Sequence, residues 1–186
     1  MASGPASRRA DSPESPAKTG DASENIRKIV LASLERRRRT RSELETILRR
    51  KGFGSPAFGP ILDRLTEVGL IDDLQYARVF LERRAASKPR GARLLRSELL
   101  AKGIPGDVAD QALAERKAES DPVDDALKAL KLWLPRQAKL EPRERRQKLW
   151  QFLARRGFSA DVIEQAARRA ESCGDSARED GGEDGE

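Results

Sequence analysis

The triplet Lys102-Gly103-Ile104 decides the fold because it recurs: Lys51-Gly52-Phe53 precedes it and Arg156-Gly157-Phe158 follows it. Each triplet closes a run with apolar residues at helical spacing, and each joins a basic residue, a glycine and a large apolar residue. Glycine just past a helix end adopts the left-handed backbone without the steric cost that a Cβ imposes. The basic residue before it suits the negative end of the helix dipole. The three glycines lie 51 and 54 residues apart, so the chain reads as a tandem repeat of helical units.

Working outward, nearly every segment between the ends has helical periodicity. Ile26, Ile29, Val30 and Leu34 form one apolar stripe, followed by the basic run Arg36 to Arg39. Leu44, Ile47 and Leu48 form the next. Ser55 and Pro56 suit a helix start, leading to Ile61, Leu62 and Leu65. The second unit opens at Asp72 with Tyr76, Ala77, Phe80 and Leu81 inward, continues through Leu95 and Leu99, and closes with Val108, Ala112 and Leu113. The third has Val123, Leu127, Leu130 and Trp133, pauses at Pro135, resumes at Pro142 with Leu149, Phe152 and Leu153, and ends with Val162, Ile163 and Ala166. No segment sustains the alternation of a strand.

The expected fold is therefore all-α, with three tandem three-helix repeats over residues 23–70, 71–119 and 120–172. Helices this short are marginal alone, and stacking the units buries their apolar faces while leaving an elongated surface exposed. Residues 1–22, rich in Ser, Pro, Ala and Gly, and the acidic stretch 173–186 are expected to be disordered tails.

Charged residues make up 37% of the chain, against roughly 25% in ordinary globular domains. The formal charge is +6, yet Glu171 to Glu186 hold seven acids and one arginine, leaving about +12 on residues 1–170. An anionic partner is the simplest inference, with solvated helix faces as the alternative. The acidic tail reads either as a solubilising segment or as a decoy that occupies the basic surface. Histidine is absent and Cys173 is the single cysteine, which excludes a disulfide framework or zinc site within one chain and points to a reducing, cytoplasmic setting. No long apolar run suggests a membrane or a secretory leader. With no phosphate-cradling glycine loop and no nucleophile beside a base, neither an enzyme activity nor a cofactor or metal is expected.

Basic residues gather where the first helix of the middle unit gives way to the second: Arg83, Arg84, Lys88, Arg90, Arg93 and Arg96, with Lys102 at the repeat's own glycine turn and with Pro89 and Gly91 shaping the bend. Such a cluster holds phosphates, or the carboxylates of a protein. Arg84 has a second reading, as a brace paired with a nearby acid. Arg93 and Arg96 stand opposite Leu95 and Leu99 and are expected to face a partner. Arg36 to Arg39, Arg143, Arg145, Arg146, Arg155 and Arg156 are secondary candidates, since a charge run commonly marks a wet helix face. Trp133 and Trp150 sit among apolar residues and are expected in the core. Aromatics are too few to stack successive bases. Asp72 and Asp73 suit helix capping and dipole compensation rather than a metal pair.

The middle unit also resembles a known family. Leu70-Ile71-Asp72-Asp73, Tyr76-Ala77, Phe80, Arg84, Arg90-Gly91, Glu98-Leu99 and Lys102-Gly103-Ile104 are similar to the signature of the bacterial RecX regulatory proteins. Among these, Asp72, Asp73, Tyr76, Ala77, Phe80, Gly91, Leu99 and Gly103 are expected to be structural. The threefold repeat extends the resemblance to roughly residues 24–171. It implies an elongated, curved, all-helical protein that modulates the RecA recombinase, and thereby DNA repair and the SOS response. It further implies binding to the RecA filament on single-stranded DNA, inhibition of strand exchange, ATP hydrolysis and coprotease function, and some direct affinity for DNA. The first and third units carry no distinctive motif beyond the glycine turn, so the resemblance assigns their surface residues no role.

Three functional classes stand at this point. A monomeric recombinase regulator would occupy a filament groove with its basic face. A general DNA-binding protein would place one helix of each unit in a major groove, like a helix-turn-helix. A protein adaptor would meet acidic proteins only.

Overall fold

The computed structural model describes residues 16–131, 133–137 and 139–179, with side chains from residue 20 to residue 171. Nine α-helices occur among them, in three groups of three. The first group is α1 (Pro16–Arg36), α2 (Arg41–Arg50) and α3 (Ser55–Glu67). The second is α4 (Asp73–Ser87), α5 (Ala92–Ala101) and α6 (Gly106–Glu119). The third is α7 (Pro122–Lys131), α8 (Pro142–Arg155) and α9 (Ala160–Glu179), with a short 3-10 turn at Leu134–Gln137.

Each group has its own core. Ile26, Val30, Leu44, Leu48, Phe58 and Leu62 anchor the first. Ala77, Leu81, Leu95, Leu99, Ile104, Ala109 and Ala112 fill the second, where alanines on α4 and α6 allow close approach of the two helices. Leu130, Leu149, Leu153, Phe158 and Ile163 centre the third. These separate clusters make the chain a row of small repeats rather than one globule.

The glycine turns close the middle helices as the sequence implies. Gly52, Gly103 and Gly157 have φ of 88°, 74° and 83°. In each, the amide after the glycine reaches back to a fully buried leucine carbonyl: Phe53 to Leu48, Ile104 to Leu99 and Phe158 to Leu153. This is the Schellman arrangement, in which the apolar residue beyond the glycine packs on the last turn while its amide satisfies an orphan carbonyl. A fourth such turn, with Gly69 at φ 74°, closes α3; its amide and that of Leu70 bond to Thr66 and Leu65.

The same turns join the repeats. The amide of Gly91, which caps α5, donates to the carbonyl of Arg156 at 2.9 Å, and that of Arg93 donates to Gly157 at 3.3 Å. Between repeats one and two, the Thr40 hydroxyl donates to the carbonyl of Lys102 at 2.9 Å. The same hydroxyl oxygen accepts from the Glu43 amide and so caps α2. The middle helices thus run head to tail, C-terminus of α8 on N-terminus of α5 and C-terminus of α5 on N-terminus of α2. The first contact pairs carbonyls with amides that a lone helix leaves unsatisfied, the second links a carbonyl to an amide through the Thr40 hydroxyl, and both align the helix dipoles. A partly buried ion pair of Arg116 with the buried Asp125 adds a second tie between repeats two and three.

Three expectations are corrected. Helix overruns both expected tail boundaries, since α1 begins at Pro16 and α9 continues to Glu179. Extending a helix already nucleated by a buried stripe adds one hydrogen bond per residue fixed, far easier than starting one, and proline is well placed in a first turn. Residues 1–15 and 180–186, also read as disordered, lie outside the described residues. The cap of α3 is Gly54 rather than Ser55. Trp150 is not a core residue: it is 37% exposed on α8, because its neighbours Leu149 and Leu153 take the inward face. Trp133 does pack against the core, stacked on Phe152 with centroids 5.2 Å apart.

Candidate polyanion interface

The basic cluster of the middle repeat divides into braces and free charges. Arg84 Nε lies 3.0 Å from Glu98 Oε2, and Arg90 pairs with the other oxygen of the same carboxylate. Arg84 also lies over the Phe80 ring at 5.1 Å. Arg156 approaches from the third repeat, donating to the Pro89 carbonyl at 3.2 Å. Burial, together with the charges of Arg84 and Arg156, holds the Arg90 guanidinium below its ordinary pKa. One carboxylate thus holds two arginines directly, with a third guanidinium close by.

Arg93 and Arg96 are likewise engaged within the chain. Arg93 Nη2 donates to the Ala154 carbonyl at 3.3 Å. Arg96 grips Asp110 on α6 through two hydrogen bonds of 2.6 and 2.9 Å. That bidentate bond raises the Arg96 pKa and lowers that of Asp110. Lys102 sits 3.9 Å from Glu43 of the first repeat. Lys88 is exposed at the end of α4 without an ion pair among the described residues. Of the two acids read as caps, Asp72 accepts from the Gln75 amide at 2.8 Å. Asp73 reaches across to accept from the Arg41 amide at 3.0 Å, so it caps a helix of the preceding repeat. Burial pushes its carboxyl up, only partly opposed by that bond.

Arg83 is placed differently. It joins Arg36, Arg37 and Arg38 around a groove of about 360 Å³ floored by Tyr76, Val79 and Phe80. The end of α1 and its loop form one wall and α4 the other, so the groove lies at the junction of repeats one and two. Arg37 is 3.5 Å and Arg39 3.8 Å from the Glu43 carboxylate. Arg36, Arg38 and Arg83 are exposed and make no ion pair among the described residues. Burial raises the Tyr76 pKa, as does the Glu43 charge, while Arg37, Arg83 and Arg39 pull it down. Tyr76 therefore has two faces, one against the core of its repeat and one on a cationic groove.

The sequence pattern named both halves of this groove but not their union. The Arg36 to Arg39 run reads as a wet helix face because nothing local says which element it meets. Guanidiniums around an aromatic floor can take up an anion in two ways, by charge-assisted hydrogen bonds and by flat packing against the ring.

Comparison with known proteins places this geometry in context. Residues 72–113 match the family profile described as RecX, second three-helix domain, and residues 119–167 match RecX, third three-helix domain. The regulatory protein RecX of Prosthecochloris aestuarii is 36% identical over 129 residues, spanning 69% of this chain and 82% of that one. That of Halorhodospira halophila is 35% identical over 154 residues, spanning 82% and 92%. The crystal structure of RecX from Lactobacillus salivarius superposes with a TM-score of 0.76 over 82% of this chain and 98% of that chain; at 24% identity this is a likeness of fold. A second crystal structure, of a regulatory protein RecX, gives a TM-score of 0.72 at 30% identity over 81% and 75%.

Proposed function

The chain belongs to the RecX family, and we propose that it binds the RecA filament on single-stranded DNA and restrains strand exchange, ATP hydrolysis and coprotease function. It acts by occupation rather than by chemistry. An elongated row of repeats lies along a filament groove that presents DNA phosphate and acidic protein surface, where it hinders subunit exchange and blocks access by duplex DNA or a repressor substrate. It does so as a monomer in the cytoplasm, without a cofactor, and so tunes DNA repair and the SOS response.

The observation that carries this reading is the groove at the first junction. Three arginines with no ion pair among the described residues, Arg36, Arg38 and Arg83, border a tyrosine floor, whereas most other arginines of the middle cluster are held by internal acids or carbonyls. No helix among the described residues is long and apolar enough to cross a membrane.

The test is RecA ATPase on single-stranded DNA, both proteins from the same organism, with and without this chain. A dose-dependent fall in hydrolysis supports the reading. An unchanged rate, together with tight duplex binding whose logarithmic salt slope is near 0.9 per neutralised phosphate, would favour a general DNA-binding protein instead.

A further inference from the structure

The third repeat carries a large aromatic that its own fold leaves more than a third exposed. Trp150 is the aromatic among the exposed large apolar residues. At 3.6 residues per turn, Arg146 and Arg143 stand about one and two turns before it and within about 40° of it around the α8 axis. Both are exposed, and neither makes an ion pair among the described residues. The acid of this helix is turned away: Glu144 pairs with Lys148 at 2.8 Å, well round the axis. Among the described residues, the face is thus one indole ring and two guanidiniums without an ion pair, with no carboxylate of α8 among them.

We propose that this face of α8 is a contact for single-stranded nucleic acid, with one base stacked on Trp150 and adjacent phosphates held by Arg146 and Arg143. The exposed part of an indole can stack with any base, since every base has a π-face, which makes such a contact tolerant of sequence. Guanidiniums a turn and two turns away supply the charge that a flanking backbone requires. An acidic protein surface would use the arginines but leave the indole unmatched. A duplex would hide its base faces inside the stack. A single strand satisfies both halves of the patch.

The contact rests on the filament reading and deepens it, because it lies on the third repeat whereas the cationic groove lies between the first and second. The chain would then hold its target at two separated places. One stacking residue does not make a platform for successive bases, so the contact adds to an affinity set mainly elsewhere.

The experiment uses the full chain labelled with 5-fluorotryptophan, whose two fluorine resonances are assigned by Trp150→Phe. It is titrated at low salt with an oligothymidylate, and separately with an abasic strand of equal length. The Trp150 resonance is expected to move with the oligothymidylate and much less with the abasic strand, while that of Trp133 stays. Trp150→Ala should weaken oligothymidylate binding about tenfold, and Trp150→Phe should recover part of it. Replacing Arg143 and Arg146 with Ser should reduce the logarithmic salt slope by about 1.4, at 0.7 per phosphate of a single strand. Equal movement with both strands, or a still Trp150 resonance under conditions where anisotropy shows binding, overturns the proposal. RecA ATPase inhibition by the parent chain separates the two readings: inhibition beside an unmoved Trp150 resonance sinks the base contact alone, and absence of inhibition sinks the filament reading while the resonance still reports on the strand.

Discussion

Gly91 and Arg156 are bound backbone to backbone across a repeat junction, amide to carbonyl at 2.9 Å. The glycine that permits this approach is not the only one needed. A Cβ on Gly91 would overlap the carbonyl group of Gly157, and one on Gly157 would meet Leu94 at 2.5 Å. The glycine triplet therefore serves twice, ending its own helix and fitting the start of the one before it. Around Gly52, by contrast, nothing among the described residues lies within 4 Å of where a Cβ would stand.

Gly52→Ala and Gly157→Ala should therefore differ although both positions have positive φ. The first carries only the conformational cost of roughly 1–2 kcal/mol. The second adds displacement of Leu94 at the junction, by analogy with overpacking about 1–3 kcal/mol more. Urea unfolding of both variants measures the difference, and hydrogen exchange should show the loosening of Gly157→Ala concentrated at the Gly91 and Arg93 amides.

Thr40 is fully buried, and its hydroxyl serves two repeats by accepting from Glu43 and donating to Lys102. Thr40→Val keeps the shape but leaves an amide and a carbonyl unpaired, and should cost about 1–3 kcal/mol. Thr40→Ser should retain most of the stability. A valine variant as stable as the parent in urea would show that water replaces both bonds.

Much of this architecture is legible in the sequence because its determinants are local. The glycine turns, the Asp72 cap and the apolar stripes each depend on residues within a turn or two. What is not legible depends on which repeat surface meets which. Asp73 reads as a cap for its own helix yet serves α2. Arg93 and Arg96 look free on a helical wheel, but the wheel does not show Ala154 or Asp110. Trp150 looks apolar and hence internal, but Leu149 beside it already fills the inward position on α8. Arg84 is the case where both roles could be read and the structure shows the brace.

Glu115 on α6 receives Arg78 of α4 through two hydrogen bonds of 2.8 and 2.9 Å. That contact, helped by Gln111, pulls its pKa from 4.5 to about 2. A depressed carboxylate contributes stability that is fully present above its unfolded pKa and is lost as pH falls through the folded one. The α4 to α6 tie should therefore weaken between about pH 4.5 and pH 2. Carboxyl NMR should place the Glu115 midpoint near 2 in the parent chain, and Arg78→Ala should return it most of the way to the ordinary glutamate range. An unmoved midpoint in the variant would mean that the bond is not formed in solution.

The groove between α1 and α4 yields the sharpest functional prediction because its arginines have little structural work. Replacing Arg36, Arg38 and Arg83 together with Glu should shift the RecA inhibition curve about tenfold or more to higher concentration, by opposing charge where an anion is required. Thermal melting should change little, since exposed substitutions away from caps and pairs usually lie within about half a kcal/mol each. Arg96→Ala is the contrasting variant, because it removes a side chain already committed to Asp110; it should inhibit nearly as the parent does. Tyr76→Phe keeps the ring packed on the core and on the groove floor, so it too should retain the fold. If the triple variant inhibits like the parent while Arg96→Ala does not, the groove is not the interface, and the partner is held instead by the outer face of α5 and α6.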